Sequence, residues 1–434
     1  MTVSAATTGQ TPVQFYQHEA EHTAVEHATL QVLRQQGLAE FTRLGFPARR
    51  DEDWRYSSVL PFLKHQFQST ERAAGSHDEH VIVHKQMDVP WGHKLVFVDG
   101  VLMGLDELRK MLPPGVIVAP ILEALQTVPE KITPYLDKIL RTQHGFHAQN
   151  SAMLHLGLFI YVPEHVCIAE PILLVHWQTQ AEQAVYLRHV VVMESGANLS
   201  LIEDYQGSTD LSYYTNVVTE AWVGPKAYLK HYKLQRESKA AWHVGHVAAK
   251  VAAGGQIDSH ALSFGALWSR FDACFVLQEP QARCYLNGIY TPKGQQHMDH
   301  HTWVYHDAPH GTSQQDYKGI VSDAAHAVFN GQIHVARHAQ KTLAQQQNKN
   351  LLLSKQAEVD TKPQLDIAAD DVQCTHGATV GQLDSDALFY FATRGIGIQE
   401  ATEYLIQGFV ADNLRTIGND EFAAWLKSRV VGVS

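Results

Sequence analysis

The chain has little cysteine, and the cysteines it has are scattered. Only four occur in 434 residues and no two form a CxxC pair: Cys167, Cys274, Cys284 and Cys374. Disulfide frameworks and zinc ribbons need closely spaced cysteines, so this distribution argues against both. It fits a reducing compartment, and we therefore expect a cytoplasmic protein.

Positive charge and long apolar runs are also scarce. The chain has 34 Lys and Arg against 45 Asp and Glu, a net charge of −11, which argues against nucleic acid and anionic membrane surfaces as partners. The N-terminal stretch has no charged segment followed by an apolar core, and no long uncharged apolar span occurs later. We expect neither a secretory leader nor a membrane-spanning helix.

Sequence motifs of common enzymes are missing as well. There is no GxSxG, no Walker A motif, no GxGxxG followed by a helical pattern, and no HExxH. We therefore expect a protein that is not itself an enzyme, and any ATP hydrolysis linked to it has to come from a partner.

Residues 1–150 form a predicted N-terminal region of helical and mixed structure. Apolar residues recur at helical intervals over 13–46 with few β-branched side chains, which predicts one or two helices. The segment KLVFVDG at 94–100 predicts a strand entering a tight turn, and short helices are predicted at 107–112 and 121–125.

Residues 151–380 carry a repeat of short strands. Similar strand-turn units begin at Gly196, Gly224, Gly254 and Gln281, which gives steps of 28, 30 and 27 residues. A period of this size without intervening helices is typical of a coil of stacked strands, and we predict a right-handed parallel β-helix. A β-sandwich is the alternative, although it predicts turns without a regular long period.

Residues 381–434 form a predicted C-terminal helical domain. Asp384 or Ser385 can cap a first helix, which extends through Arg394. Apolar stripes predict two more helices at 399–414 and 420–430. Because an open β-helix end is an exposed edge, one expectation is that these helices cover that end.

A cysteine and a histidine lie where the strand pattern gives way to the helical pattern. If this segment is extended, Cys374 and His376 project from the same face. A thiolate and an imidazole in that arrangement can bind one borderline metal or one sulfur species, but they need further ligands from elsewhere. The alternative is a small buried cysteine beside a histidine of a turn.

A histidine-rich segment, HMDHHT, offers a second candidate site. On a strand, His297, Asp299 and His301 share a face and supply the ligand set of a facial triad, with His306 and His310 nearby. The outward face of a β-helix is expected to be exposed, and histidines are dispersed through the rest of the chain. We therefore expect solvated or hydrogen-bonded histidines, with a His-ligated metalloenzyme as the alternative.

Longer segments resemble a known family. They run from DEDWRYS at Asp51 to the C-terminal helices and are densest between 288 and 396, with HMDHHT, YKGIV, VFNGQIHV, AQKT, NKNLLLS and DTKPQLDIAADDVQCTHGATVGQLDSDALFY. Together they resemble the SufB/SufD family of the SUF iron–sulfur cluster assembly machinery. SufB-type chains carry a cysteine and a glutamate where this chain has Ala357 and Gly377, so the resemblance is to the SufD type.

The resemblance implies a non-catalytic scaffold subunit. It implies pairing with SufB through the β-helix, docking of the SufC ATPase on the C-terminal helices, and a nascent Fe–S cluster at the SufB interface. It assigns His376 as a cluster ligand or proton acceptor and Cys374 as an auxiliary thiolate. No cofactor or metal is expected to bind tightly without the partner subunit, and a homodimer is possible when the chain is alone. A purely structural partner of SufB and SufC remains the alternative.

Overall fold

The computed structural model describes residues 10–23, 27–70 and 88–432. Its α-helices are α1 Pro12–His22, α2 Ala28–Leu44, α3 Leu105–Met111, α4 Ile121–Thr127, α5 Pro129–Ile132, α6 Gly145–Ala152, α7 Ser385–Thr393, α8 Ile398–Arg415 and α9 Asp420–Val431. Two short 3₁₀ helices lie at Glu52–Trp54 and Phe62–Lys64. The helices predicted near the two ends of the chain are confirmed.

The strands fill the middle of the chain. They are β1 Gln68–Ser69, β2 His93–Val98, β3 Val101–Met103, β4 Ile117–Pro120, β5 Leu156–Val162, β6 Ile172–Gln178, β7 Gln183–Met193, β8 Asn198–Gly207, β9 Tyr214–Val223, β10 Tyr228–Gln235, β11 Trp242–Val251, β12 Gln256–Ser263, β13 Trp268–Leu277, β14 Arg283–Tyr290, β15 His297–His306, β16 Thr312–Val321, β17 His326–Val335, β18 Leu343–Leu352, β19 Glu358–Ile367 and β20 Gln373–Gln382.

From β5 onward, successive strands alternate between two parallel sheets. Sheet 1 has the order β19-β17-β15-β13-β11-β9-β7-β5-β4, with β1 beside β7, and sheet 2 has the order β20-β18-β16-β14-β12-β10-β8-β6-β2-β3. Each strand therefore pairs with the strand two positions away, one coil further along. The predicted parallel β-helix is confirmed, and the β-sandwich is wrong because its sheets would be built from antiparallel neighbours.

The pairing register follows the repeat seen in the sequence. In sheet 2, Asn198, Tyr228, Gln256 and Arg283 are aligned neighbours at separations of 30, 28 and 27 residues. The first strands of the N-terminal region join the same sheets, since β2 pairs in parallel with β6 and β4 pairs antiparallel with β5. The N-terminal region therefore begins both sheets before the regular coils start.

One turn of each coil contains a residue with left-handed backbone. Gly196, Lys226, Gly254 and Gln281 have φ between 56° and 66°. The backbone N–H of each donates to a carbonyl in the matching turn of the next coil, on Pro225, Ala253, Pro280 and Pro309 respectively. A left-handed Lys or Gln is strained by about 1–2 kcal/mol, and this ladder of hydrogen bonds holds the strained turns in register.

The N-terminal region packs on the outer face of sheet 1. An aromatic cluster joins the two, with Phe62 and Phe146 among the buried side chains of the N-terminal region and Tyr214, Trp242 and Trp268 on the sheet. Helices α2 and α6 meet at Gly37, where a Cβ would lie 2.5 Å from a backbone nitrogen of α6. With this cover, the strands of sheet 1 from β5 to β15 are buried on both faces over most of their length.

The C-terminal helices pack along the side of sheet 2. Ile406 and Val410 of α8 and Phe422 and Leu426 of α9 are fully buried against outward side chains of the sheet, including Tyr232. The expectation that these helices cover the end of the β-helix is wrong. Their apolar stripes find a larger apolar surface on the flank of the sheet, and the last coil stays uncovered by the described residues.

Candidate functional site

The last coil of the β-helix, formed by β19 and β20, is exposed. Alternate, inward-facing residues of β18 are buried from Ala344 to Asn350, whereas β20 has no buried residue in its whole length. Strands β19 and β20 each pair with one neighbour, β17 or β18, and the other edge of each has no partner among the described residues. The interior of the coil is therefore open to solvent at this end.

Cys374 and His376 lie in that opening. Cys374 is the register partner of Ala344, and His376 is the register partner of Gln346. Both partners are buried inside the preceding coil, so both β20 side chains face the interior. The prediction that they share one face of the strand is confirmed. His376 lies within β20, which continues to Gln382, and the expectation that it lies at the strand-to-helix junction is wrong.

The two side chains differ in their surroundings. Cys374 is half-buried beside Leu365 in a small apolar cluster. Burial raises the pKa of its thiol, and a hydrogen bond with the backbone of Ala344 opposes this only in part. His376 is exposed and has no side-chain hydrogen bond or ion pair within the described ranges. The pair therefore offers an available imidazole and a thiol that needs a metal or a positive neighbour to ionise.

The edge formed by β20 is suited to pairing with another strand. Its sequence, QCTHGATVGQ, has ten residues and contains neither charge nor proline. Protein edges that avoid association are usually short or carry charges and proline. A Cβ placed on Gly377 or Gly381 would have open space around it, and Val380 is an exposed apolar residue. β20 is therefore an unprotected edge directly beside His376.

A second exposed surface lies on the C-terminal helices. None of the residues of α7 is buried. Large apolar side chains point to solvent there and at the start of α8: Phe389, Tyr390, Ile398 and Tyr404. Because the rest of α8 and α9 is packed on sheet 2, this surface, which we call the α7 face, is held on a firmly attached support. An exposed apolar surface of this kind is typical of a protein interface.

The HMDHHT segment is almost entirely buried, so of the two expected environments for its histidines the solvated one is wrong and the hydrogen-bonded one is confirmed. Asp299 lies on β15 under the N-terminal region, where the Ser57 hydroxyl donates to its Oδ2 at 2.5 Å and Arg270 donates to the same oxygen at 2.7 Å. His301 Nε2 is 3.0 Å from the other oxygen, and His297 Nε2 is 2.8 Å from the Ser57 hydroxyl. The carboxylate is therefore engaged by protein groups, as in a structural network.

The β-helix interior contains ionisable groups that the sequence reasoning missed. Glu203 is buried near His231, with 3.7 Å between Oε2 and Nε2. Glu237 Oε2 is 2.8 Å from His243 Nδ1. Lys233 is buried among them, and burial lowers its pKa to about 8. Strict alternation along the strands could have indicated them, because these residues occupy the same face as the apolar core positions.

Comparisons with known proteins agree with this architecture. The chain matches the family model for the SUF system FeS cluster assembly SufBD core domain over 176–409, and the model for the SufBD protein N-terminal region over 8–174. The chain belongs to the SufBD family of SUF-system proteins.

Two relatives that match most of the chain carry the SufD name, and a third carries the SufBD family name. The iron-sulfur cluster assembly protein SufD of Escherichia coli is 30% identical over 414 residues, which cover 91% of each chain. SufD of Bacillus subtilis is 26% identical over 404 residues, covering 89% of this chain and 90% of the relative. A SufBD family protein of Synechocystis is 29% identical over 399 residues, covering 89% and 87%. In the described part of the chain, no helix is long and apolar enough to cross a membrane.

Proposed function

We propose that this chain is a non-catalytic, SufD-type subunit of a cytoplasmic SUF scaffold, and that its open last coil forms one half of a nascent-cluster site shared with SufB. The observation that carries the proposal is the position of His376 inside an uncovered coil, beside the unprotected edge of β20. A partner strand paired along that edge brings its own side chains next to the imidazole.

SufB is the proposed partner at this end. The unpaired backbone groups of β20 allow hydrogen bonding to a strand of the partner, and the uncharged side chains present no barrier to it. Thr375 and Thr379 lie on the outward face of β20, whereas Cys374 and His376 face the interior, so strand pairing leaves both of them available. In the absence of SufB, the same edge can pair with a second copy of this chain.

The proposed ligand at the cluster is the His376 imidazole, with Cys374 in an auxiliary role. Imidazole binds iron in its neutral form, and His376 has no competing partner among the residues that the structure describes. The Cys374 thiol is held protonated by burial, which raises its pKa, so it becomes a useful ligand only when iron or another cation favours the thiolate. The cluster is then a transient cargo of the assembled complex.

The test compares His376→Ala with Thr375→Ala, its neighbour on the opposite face of the same strand. Both variants are co-expressed with SufB and SufC, and complex mass, iron and acid-labile sulfide are measured. We expect His376→Ala to assemble normally and to lose most of its cluster, and Thr375→Ala to keep both. Unchanged cluster content in His376→Ala would instead favour a purely structural partner of SufB and SufC.

The α7 face is the proposed docking surface for the SufC ATPase. Phe389 and Ile398 are 70% and 75% exposed, so truncating either to Ala changes the surface without opening the core. Leu60, which is 66% exposed on the N-terminal region, provides a control of similar size and exposure. Removal of the whole domain after Arg394 is less informative, because it strips α8 and α9 from sheet 2.

We expect Phe389→Ala and Ile398→Ala to weaken co-purification of SufC while leaving SufB bound, and Leu60→Ala to have no effect on either. Loss of SufC binding in the Leu60 variant, or its retention in a variant that lacks both Phe389 and Ile398, refutes this docking surface. The alternative of a His-ligated enzyme at HMDHHT has no supporting geometry, because within the described residues the ligand atoms of His297, Asp299 and His301 do not form a converging group.

A further inference from the structure

A buried histidine cluster lies between the N-terminal region and sheet 1, far from the open coil in the strand order. His144 and His147 come from the start of α6, and His246 and Asp272 come from the adjacent strands β11 and β13. His144, His147 and Asp272 each have one ligand atom within 4.8 Å of the others, and they are the sole group of this kind that the described residues provide. All four side chains are buried.

Two imidazoles converge on one carboxylate oxygen. His144 Nε2 is 2.8 Å from Asp272 Oδ2, and His147 Nε2 is 3.3 Å from the same oxygen without the alignment of a hydrogen bond. The other oxygen, Oδ1, accepts from Arg270 Nε at 2.6 Å. Arg270 therefore orients the carboxylate from behind and leaves Oδ2 facing the imidazoles, as outer partners of metal ligands commonly do.

His246 has no hydrogen-bond partner among the described residues. Neither of its ring nitrogens has a hydrogen bond there, although the side chain is only 2% exposed. Its ring lies 4.3 Å from the ring of His147, and its strand neighbour in register is Asp272. Buried polar atoms are nearly always bonded, so an imidazole in this position indicates a ligand that the protein atoms do not supply.

The local charge also favours a cation. Such an ion binds imidazole in its neutral form and carboxylate in its ionised form. The network of charged groups around them, of which Asp137 is partly exposed, has two positive and four negative members, a formal excess of −2. These groups are Arg188 and Arg270 against Asp137, Glu220, Asp272 and Asp299.

We propose that this cluster is a closed binding site for one divalent metal ion of the zinc class. Its ligands are His144, His147, His246 and Asp272. Three imidazoles and one carboxylate suit tetrahedral zinc, and full burial leaves no open position for a substrate, so the site is structural. This departs from the expectation that the chain holds no metal independently of SufB.

The ion ties two parts of the chain together. Its first two ligands belong to the N-terminal region and its other two to the β-helix, so it fixes the position of α6 on sheet 1. Because the ligands are protein groups already gathered in the folded chain, the site loads during folding and exchanges slowly afterwards. A hydrogen-bonded cluster without metal is the competing explanation, and it predicts no stoichiometric metal.

The test uses the full chain produced without SufB, with any affinity tag removed and with zinc in the medium. After gel filtration in a weak chelator, elemental analysis should find about one zinc per chain, as expected of a closed four-ligand site. Acid-labile sulfide is measured in parallel, because a trapped Fe–S cluster would bring iron and sulfide together. Substoichiometric zinc in the wild-type chain refolded with excess zinc overturns the proposal.

Variants locate the ion. His246→Gln should lose most of the zinc. Refolding the wild type with zinc should raise its thermal midpoint, and this rise should be absent in His246→Gln. His300→Gln is the control, since His300 is equally buried but faces the interior from β15, and it should keep both. Zinc retained by His246→Gln, or lost equally from His300→Gln, contradicts the assignment whatever the effect on cluster assembly.

Discussion

Replacement of Arg188 by methionine should loosen the N-terminal region from the β-helix. Arg188 is fully buried on the outer face of β7 and donates to Asn150, Asp137, Glu220 and Ser151 at 2.7–2.9 Å. All but Glu220 lie in α6 or before it, in the part of the chain that precedes β5. The side chain therefore joins the two parts of the molecule through charged hydrogen bonds, and methionine fills a similar volume without any of them.

The expected loss of stability depends on which hydrogen bonds Glu220 keeps when Arg188 is removed. Removing one partner of a buried ion pair typically destabilises a protein by about 3–5 kcal/mol. Glu220 keeps hydrogen bonds from three backbone N–H groups, of Asp137, Ile139 and Leu140, and Asp137 is partly exposed to water. We therefore expect a loss near the lower end, about 3 kcal/mol.

The second change is Glu220→Gln in the Arg188→Met background. The amide oxygen of glutamine can still accept from the Ile139 and Leu140 N–H groups, which share one oxygen of Glu220, although its amide nitrogen cannot accept from the Asp137 N–H. The uncompensated charge is gone. We expect the double variant to recover about half of the lost stability, because unpaired buried charge is the larger part of the penalty.

Urea unfolding measures the stabilities, and hydrogen exchange at the Ile139 and Leu140 amides reports on the attachment itself. In Arg188→Met, these amides should exchange faster than those in the centre of β9 or β11. If Arg188→Met unfolds at the same urea concentration as the wild type, or if adding Glu220→Gln lowers stability further, this account of the network is wrong.

Two further predictions concern charges inside the β-helix. Burial, with a smaller effect of Lys233, lowers the pKa of His300 from 6.5 to about 3, so the unfolded chain binds the extra proton and His300 alone should lower the stability below pH 6.5 by up to about 1.4 kcal/mol per pH unit. His300→Gln should flatten that fall in urea midpoints measured from pH 7 to pH 5, and an unchanged slope refutes it. Burial also lowers the pKa of Lys233 from 10.5 to about 8, so stability should rise between pH 8 and pH 10.5. Lys233→Met should add up to about 3 kcal/mol at pH 7 and abolish the rise, and a thermal midpoint lower than that of the wild type contradicts it.

The repeat and the strand alternation could be predicted from the sequence because they are local properties of the chain. Steps of 27 to 30 residues between Gly196, Gly224, Gly254 and Gln281 reflect one coil each, and the observed register reproduces that period. The shared face of Cys374 and His376 follows from the period of two along a strand. Neither inference needed knowledge of what covers the strands.

The burial of the outward faces of the strands could not be predicted from local sequence, because it depends on distant segments of the chain. His297 and Asp299 lie on an outward face that any isolated β-helix would expose, and they are covered by a segment containing Ser57, some 240 residues earlier in the chain. The position of the C-terminal helices has the same cause. Their stripes specify that a face is buried, but sheet 2 and the open end of the coil both offer apolar surface.

The coil beneath the open end explains how an exposed site can still be well ordered. Towards the last coil, the interior changes from aliphatic to neutral polar side chains that bond to each other. Gln346 donates to Gln315 at 3.1 Å, Asn350 donates to Asn348 at 2.7 Å, and Thr361 of the last coil donates to Asn348 at 2.8 Å.

These hydrogen bonds join side chains of neighbouring coils and need no partner protein. They can therefore hold the last coil in place although no apolar side chains cover it. Gln346 and Ala344 are buried directly beneath His376 and Cys374. The two candidate ligands therefore lie above an uncharged layer that offers no ionised ligand from these two positions. The proposed cluster needs its remaining ligands from the opposite side, which is where β20 offers its free edge to a partner.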